Sequence, residues 1–112
     1  MSELEQLREK IIQFRDERNW QQFHNSKDLA LSLSLEASEL LELFQWKTSD
    51  EAVKKNVDKM KDELADILIY AILFANELEF DISQIIEEKI IKNTNNYPKG
   101  KSLGRKDKYT DL

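Results

Sequence analysis

The chain is predicted to be all-α, four helices packed in a bundle-like domain that assembles as an oligomer, and three observations lead there. Glycine occurs twice and proline once in 112 residues, while Leu, Ile, Glu, Lys and Ala are plentiful, a composition that favours helix over sheet. Apolar residues recur at spacings of three and four through most of the chain, which is the helical period. The stretch Leu64 to Leu78 is apolar on every side of a helical wheel, more surface than one partner helix covers in a small monomer, so subunits are expected to meet there.

Ser2 is a suitable N-cap, and Leu4, Leu7, Ile11 and Phe14 give the first helix an apolar stripe that carries it to about Arg18. Asn19 to Ser26 has no stripe and crowds Trp20, Phe23 and the single histidine, His24, into a loop. Ser26 then reads as the N-cap of a second helix, with Asp28 in the first turn, where the helix dipole favours negative charge. Leu29, Leu31, Leu33 and Leu35 alternate like a strand. Helical spacing nevertheless continues without a turn signal through Glu36, Glu39, Leu40, Leu43 and Phe44, so the segment is a helix buried on two faces and ending near Trp46 or Lys47. The third helix is expected over Asp50 to Glu79. Asp81 to Gln84 resembles a capping box that opens a fourth helix, which stops before Pro98. A domain over residues 1–98 is thus followed by an arm over 99–112, without periodicity, in which Lys99, Lys101, Arg105, Lys106 and Lys108 cluster.

Charge and composition exclude several functions. A formal net charge of −5 argues against general nucleic-acid binding, which needs excess Lys and Arg. The absence of cysteine removes disulfides and thiolate metal sites and sits easily with a reducing compartment. Met1 leads into charged amphipathic sequence, and no apolar run is long enough for a bilayer, so a soluble cytoplasmic protein is expected.

Glu36-x-x-Glu39 and Glu63-x-x-Asp66 carry the chemistry. Residues three apart on a helix are neighbours, and each pair falls in an apolar arc, Glu36 and Glu39 with Leu33, Leu40 and Leu43, Glu63 and Asp66 with Met60, Ile67 and Tyr70. One such pair is most often a solvated face. Two pairs on two apolar arcs repel and desolvate one another, and a cation between the helices resolves the cost. Carboxylate ligands without cysteine suit a hard ion, Mg²⁺ or Mn²⁺, which typically bridges to phosphate oxygens. Lys27 and Lys89 could neutralise further phosphate charge, Asn93 could donate to phosphate or sugar, and Trp20, Phe23, His24 and Trp46 could enclose a flat base. Each has a structural alternative: the tryptophans as core, His24 as a packed loop residue, Lys89 as a stem covering apolar surface, Tyr70 as packing. A di-iron carboxylate bundle would need Glu-x-x-His pairs, which no helix supplies. A non-catalytic helical interaction module is the remaining alternative.

The two acidic pairs, together with Trp20-x-x-Phe23-His24, Phe44-Gln45-Trp46-Lys47, Lys89-x-x-x-Asn93-x-x-x-Tyr97-Pro98 and Lys108-Tyr109-Thr110, resemble the MazG-like nucleoside triphosphate pyrophosphohydrolases, and within them the dCTP pyrophosphatase branch. The resemblance spans nearly the whole chain. It implies a homotetramer, Mg²⁺ dependence, and hydrolysis of a nucleoside triphosphate to monophosphate and diphosphate in cleaning the nucleotide pool. It further implies Glu36, Glu39, Glu63 and Asp66 as metal ligands, Lys89, Asn93 and Tyr97 near phosphates or sugar, and Trp20, His24 and Trp46 around the base. Glu39 and Glu63 are the candidate catalytic residues, and Tyr70, one turn beyond Asp66, a candidate substrate contact.

Overall fold

The computed structural model describes residues 1–112 and contains helices and turns only. The chain divides into two compact units, Met1–Glu79 and Phe80–Leu112.

The first unit holds α1 (Glu3–Glu17), a 3-10 turn (Trp20–Phe23), α2 (Ser26–Glu42) and α3 (Ser49–Glu77). Ser2 caps α1 by accepting from the Glu5 N–H at 3.2 Å. The N-cap of α2 is Asn25 and not Ser26. The Asn25 backbone is extended, and its side-chain oxygen accepts from the Asp28 N–H at 2.9 Å while its amide donates to the Asp28 carboxylate at 2.8 Å. α2 stops at Glu42, four residues short of Trp46. Past that point the N–H groups of Leu43, Phe44 and Gln45 bond three residues back instead of four, and Trp46 turns the chain with φ of 63°. Such tightening satisfies the last carbonyls of a helix as it ends.

Thr48 opens α3 with a complete capping box, accepting from the Glu51 N–H while Glu51 accepts from the Thr48 N–H. The helix is not straight. Asn56 departs from helical geometry (φ −121°, ψ 18°), and its side-chain amide donates to the Leu43 carbonyl at 3.1 Å. α2 and α3 pack on each other along their length, and α1 lies on α3, where Arg8 donates to the Asn76 side chain at 3.1 Å. Leu29, Ala52, Ile72, Leu73 and Ala75 form the buried core. Leu64, Leu68 and Ile69 of α3 stay open to solvent, as do Leu31, Leu35 and Leu41 of α2.

The second unit is α4 (Ile82–Asn96), a short α5 (Lys99–Ser102) and a closing 3-10 turn (Tyr109–Asp111). Only half of the expected box at its start forms. Asp81 accepts from the Gln84 N–H at 3.0 Å, but the Gln84 amide donates forward to Glu88 at 2.9 Å, a helical neighbour one turn on. The basic arm is not wholly extended, because Tyr109 meets Tyr97 edge to face with ring centroids 5.9 Å apart. No helix is long and apolar enough to cross a membrane.

Leu29 is fully enclosed at 1% exposure. Leu29→Ala is expected to lower the unfolding free energy by about 3 kcal/mol, read from the midpoint of urea denaturation at unchanged slope.

Candidate metal and nucleotide site

Three carboxylates meet on the seam between α2 and α3. Oxygens of Glu36, Glu39 and Glu63 lie within 4.8 Å of one another. α2 presents Glu36 and Glu39 one turn apart, and α3 brings Glu63 against them. Glu36 and Glu63 are half-buried and Glu39 is exposed, so the pocket is sheltered on the helix side and open to water at Glu39. One oxygen each of Glu36 and Glu63 is buried with no hydrogen-bond donor. The ion pairs of the chain lie elsewhere: Arg15 with Asp16, Arg18 with Glu17, Lys61 with Asp58, Arg105 with Asp107. Half-buried anionic oxygens without a donor or cation are costly. A divalent cation fits this donor set, since it offsets the charge and accepts the unpartnered oxygen lone pairs at once.

Protonation reports the same strain. Burial pushes the Glu36 carboxyl up from 4.5 to about 7, reinforced by a hydrogen bond with Glu39 and by the charges of Glu39, Asp66 and Glu63. Glu63 is also raised, first through a hydrogen bond with Glu39 and then through burial and the charges of Glu39 and Asp66. Glu39 is therefore the hydrogen-bond neighbour common to both raised carboxyls. Asp66 lies outside the three-carboxylate cluster, yet close enough for its charge to act on both raised residues.

Asp66 also lines a cavity of about 680 Å³ within the first unit, within the usual size for a small-molecule site. Its wall is mostly apolar, from Leu7, Ile11, Phe14, Ile69 and Leu73, with Trp20, His24 and Tyr70 as the amphipathic members. Trp20 meets Phe14 edge to face at 5.7 Å, and the Arg18 guanidinium lies 3.7 Å above the Phe14 ring, an arrangement that fixes the aromatic rim. His24 has a buried Nδ1 without a partner. Burial, followed by the charge of Arg15, lowers its pKa against the opposing pull of Glu77, which keeps the imidazole neutral at pH 7.

Trp20, His24, Asp66 and Tyr70 thus share one cavity. Lys27 and Trp46 do not reach it: Lys27 is exposed on the first turn of α2, and Trp46 projects into solvent at 92% exposure. Lys89 and Asn93 are exposed one turn apart on α4, and Tyr97 ends that helix. Sequence reasoning missed the contribution of α1 to the cavity wall, because Leu7 and Ile11 carry only the ordinary signature of a packing stripe.

A MazG-like family model matches residues 31–112. The chain belongs to the MazG-like family. Within it, the chain is 39% identical over 114 residues to dCTP pyrophosphatase 1 of Mus musculus, an alignment covering 97% of this chain and 67% of that protein. Similarity to dCTP pyrophosphatase 1 of Homo sapiens is 35% over the same span. Among solved structures, a pyrophosphatase from Archaeoglobus fulgidus superposes with a TM-score of 0.82 at 35% identity, covering 88% of this chain and 94% of that one. This MazG-like member has both raised carboxyls in the segment that the family model matches.

The raised Glu36 pKa sets a sign for stability. Between about pH 4.5 and about 7 the folded state holds a proton that the unfolded state has released, so stability falls as pH rises through that window and levels off above it. Thermal melts in EDTA are expected to show this decline, and Glu36→Gln to flatten it.

Proposed function

We propose that the chain hydrolyses a nucleoside triphosphate to the monophosphate and diphosphate, with Mg²⁺, or Mn²⁺ in its place, held by Glu36, Glu39, Glu63 and Asp66. The observation that carries this reading is the meeting of Glu36, Glu39 and Glu63 within 4.8 Å, two of them with an orphaned oxygen, beside an aromatic-rimmed cavity. The relatives named above support the reaction class, and the chain is read as a nucleotide pyrophosphohydrolase on both grounds. The activity for which those relatives are named makes dCTP or a related deoxynucleotide the first substrate to test.

Glu36 and Glu63, half-sheltered, are suited to grip a cation and have no basic side chain paired with them. Bound there, a divalent ion supplies neutralisation of phosphate oxygens and acidification of a coordinated water. Glu39 is the exposed member and so the one that bulk water reaches. It takes the proton as water attacks the α-phosphorus and the bond to the β-phosphate oxygen breaks, releasing diphosphate. Asp66 belongs to both the acidic seam and the cavity, which orients a triphosphate with its phosphates at the carboxylates and its base toward Trp20 and His24. Neutral His24 can exchange a hydrogen bond with a base edge, and Tyr70 can reach sugar or phosphate. Lys89, Asn93 and Tyr97 are assigned to phosphate and sugar, and Lys27 and Trp46 to the outer approach.

The catalytic domain is taken as residues 1–98, with the basic arm 99–112 appended. Open apolar residues on α2, α3 and α4, among them Leu35, Leu68 and Ile90, support assembly with further copies, a tetramer being the form proposed. With this reading goes a proposed role in the cytoplasm, removing surplus or modified nucleotides.

Pyrophosphate release is the test. Over a panel of common and modified triphosphates with Mg²⁺, Glu39→Gln and Glu63→Gln are each expected to lower turnover at least about a hundredfold with far-UV circular dichroism unchanged. Full activity in both would refute the assignment. Trp20→Ala is expected to raise KM by about tenfold, the loss of one stacking partner, with little change in kcat.

A further inference from the structure

Asn56 is the one polar side chain buried in the chain, at 8% exposure, and it occupies the only position where α3 leaves helical geometry. Asparagine is a poor residue for a helix interior, and a buried amide costs stability unless it is bonded. Its side chain makes one hydrogen bond, from Nδ2 to the carbonyl of Leu43, the residue that caps the end of α2, at 3.1 Å. Leu43 lies one turn beyond Glu39, and Asn56 lies two turns before Glu63. The bond therefore joins the same two helices as the acidic cluster, just beyond its end.

We infer that Asn56 is a positioning residue for the carboxylate cluster, its bond to Leu43 setting the angle at which the Glu63 half of α3 meets the Glu39 turn of α2. The inference rests on the metal reading above and goes beyond it. Seven residues at 1.5 Å each place Glu63 about 10 Å along the helix from the kink, so a change of about 10° there carries its carboxylate by about 2 Å. Mg²⁺ accepts little variation around an ideal distance of about 2.0–2.1 Å, and such a displacement takes Glu63 out of its shell. Leucine at position 56 would favour a continuous helix and a better-matched core, so cation affinity falls without a matching loss of stability. A residue that served folding alone would do the reverse.

Mn²⁺ titration followed by electron paramagnetic resonance on the full chain separates the two, with Leu29→Ala as a variant that destabilises the fold away from this bond. Asn56→Leu is expected to weaken Mn²⁺ binding by about tenfold or more, the usual effect of removing a group that orients metal ligands. The Mg²⁺ concentration giving half-maximal pyrophosphate release should rise in step while kcat at saturation holds. Leu29→Ala should lower Tm and leave Mn²⁺ affinity unchanged. Asn56→Ala, which loses the donor without adding a charge near the carboxylates, carries the same comparison where Asn56→Leu does not fold. Wild-type affinity in the Asn56 variants, or equal weakening in Leu29→Ala, would overturn the inference. No Mn²⁺ binding by the wild-type chain would overturn the metal reading itself, and the inference with it.

Discussion

Like charges held close together on the seam between α2 and α3 are the constraint from which the rest of the structure takes its sense. Glu36, Glu39 and Glu63 would separate if each were free to seek water, and two of them are instead half-covered by the helices that carry them. Packing elsewhere has to hold that arrangement in place. Leu29 is buried near the start of α2, Ala52 near the start of α3, and Ile72, Leu73 and Ala75 further along α3, whose capped start sets its first turn. The net effect is a fold whose stability and whose affinity for a cation oppose each other when the cation is absent, a common bargain at functional sites.

The cavity beside the seam divides the labour differently. Its apolar wall comes mainly from α1 and α3, and its amphipathic members come from the segment between α1 and α2, Trp20 and His24, and from Tyr70 of α3. A rigid wall with a few polar groups at one end is the usual form of a small-molecule pocket. Asp66 links the two regions, lining the cavity while its charge acts on Glu36 and Glu63.

Much of this was legible in the sequence, and the parts that were not share a cause. Periodicity located all four long helices, since each carries an apolar stripe, although only α2 and α3 contain fully buried residues, and the two acidic pairs stood out because they interrupt apolar arcs. Helix ends were less accurate where side-chain geometry decides between neighbours, as with Asn25 over Ser26, or where hydrogen bonds shorten from four residues to three, as after Glu42. Gln84 matched the sequence pattern of a capping box, yet its amide bonds Glu88, a choice made by rotamer and not by residue type. The cavity-lining role of Leu7 and Ile11 left no trace in spacing. Asn56 did leave one, a weak helix former inside a long helix, and its meaning appears only once Leu43 is seen beside it.

The two tryptophans occupy contrasting surroundings. Trp46 stands in solvent on a left-handed turn, whereas Trp20 packs against Phe14 beneath Arg18. Intrinsic fluorescence of the native protein is consequently a sum of one indole that already emits as it would from a denatured chain and one that does not. The change in tryptophan emission when a single chain folds is therefore carried mainly by Trp20, itself 45% exposed.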